Sequence, residues 1–226
     1  MTELALDTFA YRDCETVNVD GKRVYVCGDD RYYPSITTIL GQSLPMEKQN
    51  VLNAWRARVG NKEADRVSKA ACDRGTNTHL MLERYLRNED PKIEEFPEEH
   101  AKIFKSLRLE LKKINKVYGQ EVALYSDLLG IAGRCDLVAE YQGEIAIVDY
   151  KTSSRVKSAD EIGDYWLQAA FYTLAHNEMF GTDIKKMVIM MGVENKLPLV
   201  FKKTISEQLI EDLMIRGLKF YESLSK

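Results

Sequence analysis

Residues 130–152 read GIAGRCDLVAEYQGEIAIVDYKT. Leu137, Val138 and Ala139 on one side, and Ile145, Ala146, Ile147 and Val148 on the other, flank the polar Tyr141-Gln142-Gly143-Glu144 segment. The stretch therefore reads as two strands joined by a short turn. Such a hairpin holds Asp136 and Asp149 together. Successive side chains of a strand alternate faces, so Asp149 and Lys151 point one way and Tyr150 the other. Two carboxylates and one ammonium then share a small site at the end of an apolar hairpin.

Unpaired buried charge is strongly disfavoured, and a divalent cation would answer it. Oxygen ligands of this kind suit Mg²⁺ or Mn²⁺, which take one or two carboxylates and keep several waters. Lys151 beside such an ion would position or help deprotonate an attacking water, or neutralise a phosphate. Taken alone, D-x-K is equally the end of an ordinary hairpin with surface charges. The G-x-x-D element thirteen residues earlier favours the site.

Gly133-Arg134-Cys135-Asp136 followed by Asp149-Tyr150-Lys151-Thr152 resembles the signature of the PD-(D/E)XK nuclease superfamily, in particular its RecB-like, phage-type exonuclease branch. Gly75-Thr76-Asn77-Thr78-His79 with Glu83, Glu121 ahead of the hairpin, and Gln168-x-x-x-Tyr172 after it fit the same branch. Cys135 stands where the family name has proline. The resemblance implies that Asp136, Asp149, His79 and the backbone carbonyl of Tyr150 hold Mg²⁺ or Mn²⁺, and that Lys151 acts on the attacking water. It sets Gln168 and Tyr172 near the substrate strand and that lysine. Glu83 could orient His79, contact solvent near the metal, or only stabilise its helix. Glu121 is a metal or water ligand, or an ordinary strand glutamate.

At 226 residues the chain is long enough for one substantial core. The formal net charge of −3 sets up no global basic field, so any nucleic-acid contact must rest on local charge. Cys14, Cys27, Cys72 and Cys135 include no C-x-x-C, which argues against a zinc ribbon or a disulfide framework. Some RecB-like nucleases carry an iron–sulfur cluster on a C-terminal cysteine group. Nothing after Cys135 is a cysteine, so no iron–sulfur cluster is expected. No apolar run approaches the roughly 18 residues of a membrane span, and no secretory signal pattern opens the chain. The expectation is a protein without membrane contact in the cytoplasm of a bacterial or phage-infected cell.

Val17 to Val26 alternates around Asp20-Gly21, a strong hairpin signal, and Ser35 is placed to cap a helix after Pro34. Residues from about Val51 to Asp73 read as a helix with Arg56, Arg58, Lys62, Arg66 and Lys69, suited either to a phosphate backbone or to a solvated face. Gly75-Thr76 is expected to break that helix and begin another carrying His79 and Glu83. The segment from about Glu98 to Asn115 reads as a further helix, as does Asp160 to Met179, where Tyr165, Gln168 and Tyr172 share a face. Lys186 to Val193 and Leu199 to Lys203 read as strands, and Ser206 opens an amphipathic helix. Arg74, Thr152, Arg155, Tyr165 and Tyr172 are candidates for contacting substrate.

The expected architecture is one α/β (α+β) domain over residues 1–226, a restriction-endonuclease-like core with a central mixed sheet flanked by helices. Residues 1–75 would supply a β-hairpin and a basic helical part, and 76–226 the catalytic core. The expected function is metal-dependent exonucleolytic cleavage of DNA, with a single-stranded or free end as substrate, in replication, recombination or repair. A structure-selective endonuclease and a non-catalytic DNA-binding recombination accessory protein are the alternatives. No G-x-x-x-x-G-K-[ST] pattern is present, so strand opening would fall to a helicase or another replication or recombination partner.

Overall fold

The computed structural model of the chain describes residues 3–4, 9–28 and 30–224. In chain order its strands are β1 (Glu3–Leu4), β2 (Glu15–Val19), β3 (Lys22–Cys27), β4 (Arg31–Pro34), β5 (Ile114–Ser126), β6 (Ile131–Tyr141), β7 (Glu144–Ser153), β8 (Lys186–Val193) and β9 (Leu199–Thr204). The α-helices are α1 (Ile36–Gln42), α2 (Met46–Val59), α3 (Asn61–Leu86), α4 (Glu98–Leu111), α5 (Gly163–Phe180) and α6 (Glu207–Leu224).

The central sheet is mixed and runs β1-β5-β6-β7-β8-β9. β5, β6 and β7 are antiparallel neighbours, β7 and β8 pair parallel, and β8 and β9 antiparallel. β6 and β7 join through Gln142 and Gly143, both with positive φ, the turn whose twist matches a two-residue hairpin. The alternation of the strands feeds a core on each face. Val138, Ile147 and Ile189 pack against Trp166, Phe171 and Tyr172 of α5, with Ile36 of α1 and Leu213 of α6. Leu137, Val148 and Tyr150 pack against Met81 and Leu82 of α3 and Phe104 and Leu107 of α4. α4 lies so close to β8 that a Cβ on Gly192 would meet Ile103 Cγ2 at 2.3 Å.

β2, β3 and β4 form a second, antiparallel sheet, turned at Asp20 and Gly21, both with positive φ. Its buried Cys14, Tyr25 and Cys27 rest on Ala123 and Ala132 of the main sheet. Ser35 bridges to Ala132 and caps α1, its Oγ accepting the Thr38 N–H at 3.0 Å. The four cysteines are free, and among the described residues no helix is long and apolar enough to cross a membrane.

The helix break falls at Gly60, not at Gly75-Thr76. Gly60 has φ +83 and separates α2 from α3, a conformation that costs other residues more than glycine. α3 then continues unbroken through Gly75, where a Cβ would lie 3.9 Å from Thr152 Oγ1. Carried through, α3 delivers His79 to the end of β7.

Candidate active site

β6 and β7 pair from Tyr141 and Glu144 as far as Leu137 and Val148, then part. β6 continues against β5 and β7 against β8, which opens a fork. Asp136 and Asp149 are the first residues beyond the last pair. The N–H of Tyr150, released from the ladder, donates to Asp136 Oδ2 at 2.7 Å, so a carboxylate replaces the strand carbonyl that a buried N–H requires.

His79 reaches the fork from α3. Its Nε2–H donates to the Tyr150 carbonyl at 3.1 Å, which turns Nδ1 toward Asp136 Oδ1 at 3.6 Å and Glu121 Oε1 at 4.0 Å. Burial works to lower the imidazole pKa, but Asp136 and Glu121 outweigh it and raise the value to about 9. Ligand atoms of His79, Glu121 and Asp136 all lie within 4.8 Å of one another. Glu121 is held there by an unusual backbone: its φ is +51 in the middle of β5, and its carbonyl accepts from Arg134 Nη1 at 2.6 Å. A non-glycine residue in this region stores strain, which recurs at functional sites.

Asp149 has no accessible surface. Lys151 Nζ lies 2.6 Å from its Oδ2, yet neither carboxylate oxygen has a hydrogen bond of good geometry. Burial pushes the Asp149 pKa up, to about 6, with Lys151 opposing. Burial likewise works to lower the Lys151 pKa, and Asp149 and Asp136 more than offset it, leaving the ammonium pKa raised. Lys151 also donates to Gln168 Oε1 at 3.1 Å, and Gln168 Nε2 donates to Tyr172 Oη at 3.0 Å. Gly133 lets this chain approach β6: a Cβ there would stand 2.9 Å from Tyr172 Cε1 and 3.0 Å from Ile36 Cγ2.

His79, Glu121, Asp136, Lys151, Gln168 and Tyr172 line an open cleft of about 370 Å³ to which Thr16, Arg23, Tyr25, Ser35 and Thr37 also contribute, while Asp149 is buried behind it. An imidazole whose Nδ1 faces two carboxylates, and a buried third carboxylate beside them, form a donor set that fits a divalent cation such as Mg²⁺ or Mn²⁺, which would take the place of the imidazole proton.

Residues 98–204 match the family model of the PD-(D/E)XK nuclease superfamily. Over these residues the chain is similar to that superfamily. Its sequence is also 28% identical over 172 residues, 73% of this chain, to mitochondrial genome maintenance exonuclease 1 of Xenopus tropicalis. The mouse protein of the same name is 30% identical over 130 residues, 55% of this chain. The matches span 50% and 38% of those relatives, so the chain corresponds to about half their length or less. A solved structure from Eubacterium rectale aligns over 68% of each chain at 16% identity and a TM-score of 0.45.

Asp136, Asp149 and Lys151 thus meet at one fork with His79, Glu121 and Gln168. Asp149 stands apart from the close His79, Glu121, Asp136 group, and the Tyr150 carbonyl spends one lone pair on His79. Glu83 pairs with Arg87 one turn on, at 2.5 Å. Arg74 pairs with Glu194, also at 2.5 Å. Thr152 faces Gly75 of α3, Tyr165 stacks beside Lys151, and Arg155 pairs with Glu161. Of the basic stretch, Arg56, Arg66 and Lys69 pair with Asp65, Glu63 and Asp73 on exposed helix surface, where such pairs are weak and exchangeable.

The cleft wall from β2, β3 and α1 escaped sequence reasoning, because its nearness to Asp136 depends on how the small sheet docks. Arg134 lies inside the quoted motif, but only the structure ties it to Glu121. Arg216 gave no sequence signal either. It is buried in α6 and donates to Ser43 Oγ and Asp164 Oδ1, both at 2.8 Å, and to the Leu40 carbonyl, fixing the start of α5 ahead of Tyr165 and Gln168.

Proposed function

We propose that the chain is a divalent-cation-dependent deoxyribonuclease that removes nucleotides from free DNA ends. The observation that carries this reading is Asp149, a fully buried carboxylate held against Lys151 directly behind the cleft that Asp136, His79 and Glu121 line. Mg²⁺ or Mn²⁺ would be held by His79, Asp136 and Asp149, with Glu121 and the Tyr150 carbonyl completing the set. Such an ion supplies Lewis acidity toward a phosphoryl oxygen and acidifies water.

The chain's own groups do the rest. Lys151 is steered by Asp149 and Gln168, so it presents a fixed positive charge where the attacking water and the developing phosphorane charge must sit. Tyr172 anchors the Gln168 amide, so the lysine is positioned before substrate arrives. Tyr150 supports from both sides, its N–H orienting Asp136 and its carbonyl orienting the His79 ring so that Nδ1 faces the carboxylates.

An end-directed reaction is supported by the relatives named as exonucleases, and a single-stranded end would pass the cations of α2 and α3, whose exposed pairs with Asp65, Glu63 and Asp73 can exchange for phosphates. The cellular setting we infer is DNA replication, recombination or repair. The test compares circular and linear single-stranded DNA of one sequence with the wild-type chain and Lys151→Ala. Loss of the linear substrate alone, abolished in the variant while DNA binding persists, supports the proposal. Cutting of the circle would replace it with an endonuclease.

A further inference from the structure

Between β7 and α5 the chain turns through residues 154–162, where the structure separates two cations that the sequence presents as equivalents. Arg155 is spent internally: Nη2 pairs with Glu161, and Nη1 donates to the Val156 carbonyl at 3.1 Å. Ser153 Oγ donates to the Arg155 carbonyl at 2.6 Å, and the Ser158 N–H donates to Glu161 Oε2 at 2.9 Å. The turn is thereby braced at both ends.

Lys157 sits in the middle of that brace. Among the described residues no carboxylate pairs with it; its Nζ donates to Tyr165 Oη at 2.7 Å and lies 4.9 Å from the centre of the Tyr165 ring. Lys151 Nζ is 5.2 Å from the same ring centre. One tyrosine therefore carries two ammonium groups. Lys151 is committed to Asp149 and Gln168, whereas Lys157 has a phenol oxygen and unused donors. Tyr165 Oη, once it accepts from Lys157, still has its own proton to give.

We propose that Lys157, with the Tyr165 hydroxyl, holds a backbone phosphate of the DNA strand adjacent to the one that Lys151 serves. The inference rests on the nuclease reading and names a contact within it. An ammonium is a compact point charge suited to a phosphate without demanding bidentate geometry. The tyrosine ring is a rigid spacer that fixes how far this contact lies from Lys151, so it positions the strand and carries no sequence information.

The experiment measures binding of a fluorescent single-stranded oligonucleotide to the full chain in EDTA across a range of KCl, for wild type, Lys157→Ala, Lys157→Arg and Lys105→Ala. Lys105 is an exposed residue of α4 and controls for the loss of one charge. Each phosphate contact contributes about 0.7 to the slope of log K against log salt for single strands. Lys157→Ala is expected to lower the slope by about that amount, Lys157→Arg to restore it, and Lys105→Ala to leave it as in wild type. With Mg²⁺ present, Lys157→Ala raises KM by a larger factor than it lowers kcat. An unchanged slope in Lys157→Ala, with wild-type melting temperature and a wild-type chain that binds and cuts DNA, overturns this inference alone. A wild-type chain that neither binds nor cuts DNA overturns the nuclease reading and this inference with it.

Discussion

Asp149 Oδ2 and Lys151 Nζ meet at 2.6 Å where the carboxylate has no accessible surface. The lysine is the cation that compensates Asp149 in the metal-free chain. Removing one partner of a buried pair costs about 3–5 kcal/mol, because the other is left charged and unsolvated. Lys151→Met is therefore expected to lower stability in EDTA by that order, and Lys151→Met with Asp149→Asn to regain most of it. Denaturant unfolding of the three chains at pH 7 checks this, and a single variant as stable as wild type would contradict it.

Glu121 carries φ +51 within β5, a conformation that glycine adopts at far lower cost. Glu121→Gly should relieve strain of about 1 kcal/mol and raise the melting temperature by about 2–4 °C. The same change removes a carboxylate from the His79, Asp136 group and should weaken Mn²⁺ binding. Calorimetric melting and Mn²⁺ titration report the two effects separately. A fall in melting temperature would mean that the Glu121 side chain stabilises the fold by more than its backbone costs.

Gly133 admits Tyr172 and Ile36 to within 3.0 Å of where a Cβ would be. Gly133→Ala should displace Tyr172, release Gln168 and loosen Lys151, at an overpacking cost of about 1–3 kcal/mol. Cleavage is expected to fall at least tenfold although no charged group is altered. Wild-type turnover in this variant would separate Tyr172 from the positioning of the lysine.

How far the sequence could be read is visible in these residues. Asp136, Asp149 and Lys151 were legible because strand alternation is local, and His79 because its motif resembles a known one. Glu121 was legible as an acid but not as a strained residue, since nothing in QEV announces a positive φ. Glycine is a poor helix former, which points to a break at Gly75, but of the two glycines only Gly60 carries a positive φ; tertiary packing of α3 along β7 overrides the local preference at Gly75. Arg155 and Lys157 look alike in sequence, and only the position of Glu161 distinguishes them.

His176 is fully buried. Thr182 gives its hydroxyl proton to Asn177 Oδ1, so His176 Nδ1–H donates to Thr182 Oγ1 at 2.8 Å, and Nε2 accepts from Tyr11 Oη at 2.9 Å. Burial lowers its pKa from 6.5 to about 4. Between those values the unfolded chain binds a proton that the folded chain does not, so stability falls as pH drops through this window. The full shift is on the order of 3 kcal/mol. His176→Gln should flatten the dependence of unfolding free energy on pH between 6.5 and about 4. An undiminished slope would place the acid sensitivity in other groups.

The central claim is a cation-dependent nuclease built on Asp149 and acting from DNA ends. The most direct measurement is nucleotide release from linear single-stranded DNA labelled at either end, with Mg²⁺, Mn²⁺ or EDTA, beside Asp149→Ala. The account predicts release from an end with Mg²⁺ or Mn²⁺, none in EDTA and none from the variant. Intact DNA with either ion, while the chain still binds it, would contradict the account and favour a DNA-binding accessory protein.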